Sequence, residues 1–165
     1  MDLVISSDYV SRLDKFTQKA LEDYTGNDFI ELNAKLRYGI SLNEYQENMV
    51  KLIDIAFDNS PKTHQPIVVY RGLIGKQLNL IVNQYLSCSI DKNVVLDYVG
   101  VKCCFLHITI SPGSSILYLP GLSQYTSENE ILLPRFGNFI ITTVTQTNNL
   151  SVYHLVYVPP TSVII

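Results

Sequence analysis

Apolar positions recur at helical spacing over residues 8–59, then at a period of two from Pro66 onward. Val10, Leu13, Phe16, Ala20 and Leu21 fall on one stripe and predict an amphipathic helix. Asn27 or Asp28 offers a cap for a second, short helix that Gly39 would end. Ser41 with Glu44 reads as a capping box. Leu42, Tyr45, Met49, Leu52, Ile53 and Ala56 follow it at helical spacing until Asn59-Ser60-Pro61 closes the helix. Beyond Pro66, strand-type runs cover 67–71, 84–90, 101–110, 115–118, 130–133, 138–147 and 151–158. A short helix is predicted over 91–99, ended by Gly100, and a helical turn near 75–82. Helices grouped first and strands grouped later predict an α+β fold. In it, N-terminal helices pack on an antiparallel two-sheet β core. The helical part would occupy 1–65 and the β core 66–165, together forming a single domain over 1–165.

The chain's 165 residues favour one domain with a sizeable core. Hydrophobic residues make up 47% and charged residues 16%, which excludes a disordered tail. The net charge is −3 and no basic stripe is present, so no nucleic-acid partner is indicated. No apolar run reaches the length of a membrane span. The first residues lack the basic start and apolar core of a signal peptide. The expectation is action in a cytoplasm, the protein's own or a host's, or export by a route that leaves no such mark. Cys88, Cys103 and Cys104 make an odd count with no CxxC spacing, and read as reduced, partly buried thiols. His64, His107 and His154 are scattered, so no metal site is expected.

Three stretches carry chemistry. The first is Glu128-Asn129-Glu130, where a polar, turn-rich loop runs into the apolar Ile131-Leu132-Leu133. Two carboxylates at i and i+2 share one side of an extended segment. The second is Val68-Val69-Tyr70-Arg71-Gly72, an apolar strand ending in an arginine. A guanidinium on a buried strand face needs an anionic partner, and its flat fork suits a diphosphate. Gly72 would let a flat ligand approach the backbone closely. The third is Ser87-Cys88-Ser89, which puts two small hydroxyls on one strand face and Leu86, Cys88 and Ile90 on the other. Nothing around either serine forms a nucleophile elbow. Each stretch alone has a plainer reading: a solvated loop with two ordinary acids, an arginine reaching water, a half-exposed edge strand.

Taken in order, Tyr70-Arg71-Gly72, Ser87-Cys88-Ser89 and Glu128-Asn129-Glu130 resemble the arginine, Ser-Thr-Ser and Glu-x-Glu motifs of the mono-ADP-ribosyltransferases. The likeness is to the enzymatic components of bacterial binary toxins and their insecticidal relatives. Tyr24-Thr25-Gly26, Asn33 and Leu36-Arg37 resemble a helical stretch of the same family. The resemblance spans roughly residues 21–147. It implies the ADP-ribosyltransferase fold, with NAD bound as substrate across a cleft in the β core and no metal. It also implies a role for each matching residue. Arg71 would hold the diphosphate, and the Gly72 backbone would hold the nicotinamide amide. Ser87 would position Glu130, Ser89 would line the same face, and Tyr24 and Asn33 would contact NAD from the helical side. Glu130 would stabilise the cationic ribose beside the bond that breaks. Glu128 would face the acceptor, so the partner is expected to be a target protein modified on arginine.

Two departures stand out. Cys88 replaces the usual Thr and points away from the serines. Phe29 stands where the toxins often have Tyr, so it could stack but not donate a hydroxyl hydrogen bond. The competing readings are an NAD glycohydrolase of the same fold, which delivers ribose to water, and a non-catalytic binding module.

Overall fold

The N-terminal helical pattern folds as helices, with a change at its start and another at its middle. Of the predicted stripe, Val10 and Leu13 lie before the first α-helix and Phe16 is exposed, which leaves Ala20 and Leu21 as its buried members within that helix. A computed structural model describes residues 8–74, 83–99, 103–120, 129–147 and 150–160. After a 3₁₀ turn at Val10–Arg12, helix α1 (Lys15–Asp23) begins where the Asp14 carboxylate accepts from the Thr17 amide at 2.8 Å. Neither Asn27 nor Asp28 caps a new helix. The chain runs from α1 through a π-helical turn (Tyr24–Asp28) straight into α2 (Phe29–Tyr38). Asp28 keeps a right-handed helical backbone and its side chain makes no cap bond. The wider turn carries the chain through Gly26 without a break, a feature often found at functional sites. Gly39 then ends α2 at φ 64°, a conformation that glycine adopts without steric cost. Helix α3 (Glu44–Asp58) is capped by Asn43 with Gln46, not by Ser41 with Glu44. Asn43 accepts from the Gln46 amide at 2.8 Å, and the Gln46 side chain accepts from the Asn43 amide at 3.1 Å. Asn43 is a strong cap in its own right, and its extended backbone directly precedes the first helical turn.

The remaining elements are β1 (Ile67–Ile74), β2 (Leu86–Ser89), α4 (Lys92–Val99), β3 (Cys103–Ile110), β4 (Leu117–Tyr118), β5 (Glu130–Leu133), β6 (Asn138–Thr147) and β7 (Leu150–Val158). The helical turn expected at 75–82 lies outside the described residues. The strands form one seven-stranded sheet in the order β4-β5-β2-β1-β3-β7-β6. This corrects the expectation of two antiparallel sheets. β1 pairs on both edges, with β2 and with β3, and so joins the halves into one network. The sheet is also mixed: β7 returns beside β3 in parallel after a long excursion through β4, β5 and β6.

Three buried clusters hold the layers together. In the first, Leu21, Leu32 and Ile53 of the helices pack on Tyr85, Leu117 and Leu132 of the β4-β5-β2 half. The second is built from strand and turn residues: Cys88, Ile131 and Leu133 of that half meet Val69, Leu106, Ile108 and Leu155 of the other. Among the described residues no helix contributes to it. The sheet must therefore curl until its halves cover one another, since an apolar face of this size is not left to water. The third sets Val95 of α4 on Phe105, with Tyr70 and Val152 beside it.

Candidate active site

The two halves of the sheet meet at one registered pair, Tyr70 of β1 with Ser89 of β2. A continuing antiparallel ladder would bring Gly72 opposite Ser87. Instead the Arg71 side chain takes the Ser87 carbonyl, donating from Nη1 at 2.6 Å. The strands part at that point, and the guanidinium occupies the fork. Its Nε–H is buried without a hydrogen-bond partner, an unusual cost for a buried donor.

β2 and β5 pair over four residues, with Ser89 opposite Glu130 and Ser87 opposite Leu132. Ser87 and Glu130 are therefore diagonal neighbours on one face. The Ser87 hydroxyl donates to Glu130 Oε1. The Glu130 carboxylate is thus fixed by a side chain 43 positions earlier in the chain. Ser89 is buried, and its Oγ accepts from the Asp91 amide at 3.0 Å where the chain turns toward α4. Gly72 follows Arg71 on β1, half-buried. Glu128 lies outside the described residues. Asn129, beside it, has φ 47°, and its backbone carbonyl accepts from the Ile90 amide at 3.3 Å.

The helical wall comes from the π-helical turn. Tyr24 is buried, and its hydroxyl accepts from Asn33 Nδ2 at 2.9 Å. The Asn33 Oδ1 is buried with no partner. Burial raises the Tyr24 pKa; the Asn33 hydrogen bond opposes this, and the charges of Glu130 and Arg71 act on it with opposite signs. Tyr24 thus lies within electrostatic reach of both strand residues. Phe29 is more than a third exposed and 6.2 Å from the Tyr24 ring, centre to centre. Cys88 points into the second cluster, and burial pushes its thiol up to about 12. Cys88 and Cys104 are both buried and neither is in a disulfide. The described residues hold no group of three or more His, Cys, Asp or Glu side chains placed for a metal.

The structure thus brings Arg71, Ser87 and Glu130 together, with Tyr24 and Asn33 facing them from the helices. An unpaired donor and an unpaired acceptor sit among the residues expected to hold a polar ligand. Sequence reasoning missed three participants around this site: Asp54, Tyr85 and Arg135. The Tyr85 ring lies edge-on to Tyr24 at 5.6 Å, and its hydroxyl donates to Asp54 at 2.6 Å. Tyr85 stands two positions before Ser87 and shares its strand face, a clue that was present in the alternation.

Residues 5–84 and 79–156 match the model of a family described as ADP-ribosyltransferase exoenzyme. The chain is 28% identical over 148 residues to the NAD(+)–arginine ADP-ribosyltransferase EFV of Enterococcus faecalis, covering 81% of this chain and 30% of that protein. It is 32% identical over 123 residues to the secreted exoenzyme S of Pseudomonas aeruginosa, covering 68% of this chain and 26% of that protein. It therefore spans less than a third of either relative. The fold is similar to that of Plx2a, an ADP-ribosyltransferase toxin from Paenibacillus larvae, with a TM-score of 0.77, 21% identity and coverage of 92% and 90% of the two chains. No helix among the described residues is long and apolar enough to cross a membrane. With the family model matched along most of its length, this chain belongs to the ADP-ribosyltransferase exoenzyme family.

Proposed function

We propose that this chain is the catalytic domain of an NAD-dependent mono-ADP-ribosyltransferase that modifies a protein on arginine. The observation that carries this reading is the convergence of Arg71, Ser87 and Glu130 at the fork between β1 and β2, with Ser87 holding the Glu130 carboxylate. Residues 1–165 act as one domain. NAD is a substrate, bound between the strand wall and the helical wall. Arg71 holds its diphosphate by charge-assisted hydrogen bonds, and its unpaired Nε–H supplies a further donor. The Gly72 backbone takes the nicotinamide amide. Ser89 lines the same face. Asn33 contacts NAD through its unpaired Oδ1, with Tyr24 fixing the amide's orientation.

The reaction breaks the bond between nicotinamide nitrogen and ribose C1′. Nicotinamide leaves with the bonding pair as a neutral molecule, and the ribose becomes cationic. Glu130 accepts from the ribose 2′-hydroxyl and stabilises that charge, as a carboxylate does in glycoside hydrolysis. A guanidinium nitrogen of the acceptor then bonds to C1′ and gives up a proton. Glu128 holds the guanidinium and takes that proton. We take the site of action to be a cytoplasm, the protein's own or a host's.

The test uses labelled NAD with mixed cell proteins. Glu130→Gln should lower both protein labelling and nicotinamide release by at least about 10²-fold, the cost of losing a charge-stabilising group. Glu128→Gln should abolish protein labelling and leave most of the hydrolysis to water. The product bond should survive conditions that cleave esters. Equal loss of both activities in Glu128→Gln would remove the separate roles, and NAD cleavage without any protein labelling would identify a glycohydrolase.

A further inference from the structure

Asp54 of α3 lies where three elements of the site converge. Tyr85, at the entrance to β2, donates its hydroxyl to Asp54 Oδ1 at 2.6 Å. Arg135, two residues beyond the end of β5, forms an ion pair with Asp54 through Nη2, supported by Nε at 3.4 Å. The Arg135 guanidinium also lies 5.8 Å from the Tyr85 ring centre and 4.7 Å from that of Phe136. Phe136 has φ 69°. A bulky residue at positive φ is strained, so surrounding contacts must hold this turn in place. From Tyr85 the contacts continue to the Tyr24 ring and through its hydroxyl to Asn33.

We propose that Asp54, Arg135 and Tyr85 form a positioning cluster that sets the separation between the helical and strand walls of the NAD cleft. This rests on the function proposed above. The strand wall carries Ser87 and Glu130, and the helical wall carries Tyr24 and Asn33. An apolar trio of similar volume would bind the layers together as well, since partly buried ion pairs add little net stability. Directional bonds do something else: they fix one point of α3 against the start of β2 and the end of β5. The Ser87–Glu130 pair does not need this cluster, because four registered pairs between β2 and β5 already align it. What the cluster controls is the fit of a ligand that touches both walls. Its loss should therefore weaken NAD binding and leave the bond-breaking step nearly intact.

The experiment is steady-state nicotinamide release by the full chain, with NAD varied, for Asp54→Asn, Arg135→Gln, Tyr85→Phe and Arg135→Lys. Each variant is assayed well below its own melting temperature, because an unfolded fraction in equilibrium with the folded one would itself raise KM. KM for NAD should rise about tenfold in the first two variants, with kcat held within about threefold. Arg135→Lys should fall between wild type and Arg135→Gln, because it keeps the charge and loses the planar fork. The double variant Asp54→Asn/Arg135→Gln should be no worse than either single change, as for residues that act as one unit. If Asp54→Asn does not fold, Tyr85→Phe decides, since it keeps the ring on Tyr24 and removes only the hydroxyl. An unchanged KM with a lower melting temperature would make the cluster purely structural and overturn the inference alone. A wild-type chain that leaves NAD intact would overturn the proposed function, and this inference with it.

Discussion

Ser87 holds Glu130 through a single hydroxyl, so Ser87→Ala tests positioning without touching the carboxylate. The variant should lose roughly tenfold in kcat, about 1.4 kcal/mol of transition-state stabilisation, with a smaller change in KM. Nicotinamide release at saturating NAD measures it. Cys88 gives a pH prediction. Its thiol is pushed from the ordinary 9.0 up to about 12 by burial, with the Arg71 charge opposing and the Glu130 charge adding. The folded protein therefore keeps this proton over a range in which the unfolded chain has lost it. Stability falls as pH rises from about 9 toward 12, because the folded state is then the one that binds more protons. Tyr24, Tyr85 and Tyr157 are raised from 10.0, chiefly by burial, and act in the same direction above that value. Urea unfolding at about pH 8 and about pH 10.5 should show a smaller drop for Cys88→Ala than for wild type. Equal drops would remove Cys88 from the account.

The turn into β6 and the π-helical turn show how single elements depend on local space. A Cβ added at Gly137 would overlap the Tyr157 ring and hydroxyl. Tyr157 is fully buried on β7 and cannot move aside without disturbing the second cluster. Gly137→Ala should therefore cost about 1–3 kcal/mol, as overpacking does. Gly113 is the contrast: its surroundings are open, but φ +87° strains any side chain, so Gly113→Ala should cost only about 1 kcal/mol. Denaturant midpoints for the two variants separate crowding from backbone strain. On the helical side, the Tyr45 hydroxyl lies 2.8 Å from the Asp23 carboxylate and 2.9 Å from that of Asp28 and shares its one proton between them. Asp23 precedes the π-helical turn that carries Tyr24, and Asp28 ends it. This contact ties both ends of the turn to α3.

In the molecule as a whole, the helical part and the sheet share one buried cluster, in which Leu21, Leu32 and Ile53 meet Tyr85, Leu117 and Leu132. Neither part can expose its side of that cluster while the other stays folded without leaving apolar surface in water. We predict a single unfolding transition for residues 1–165. Circular dichroism of the helices and fluorescence of the tyrosines should change together. The chain has 11 Tyr and no Trp, so the second signal reports on tyrosines such as Tyr24 and Tyr85. Two separated transitions would argue that the helical and β parts are independent units.

Periodicity is a local property of the chain, and what it encodes was legible without coordinates. The change of period near Pro66, the Gly39 helix end and every named strand follow from neighbours a few positions apart. The first stripe, by contrast, is buried within α1 only at Ala20 and Leu21, with Phe16 exposed. The motifs were legible too, because alternation alone puts Ser87 and Ser89 on one face and Cys88 on the other. Pairing partners are not local. One sheet instead of two, and β7 parallel to β3, depend on which strands meet after the chain has turned back on itself. The meeting of Ser87 with Glu130, and of Asp54 with Arg135 across 81 positions, depends on the same long-range register. The α3 cap fell between two nearby signatures, and the backbone geometry of the folded chain selected Asn43. The residue types needed for the chemistry were thus visible in the sequence, while their distances were fixed only when the sheet curled and the helices packed against it.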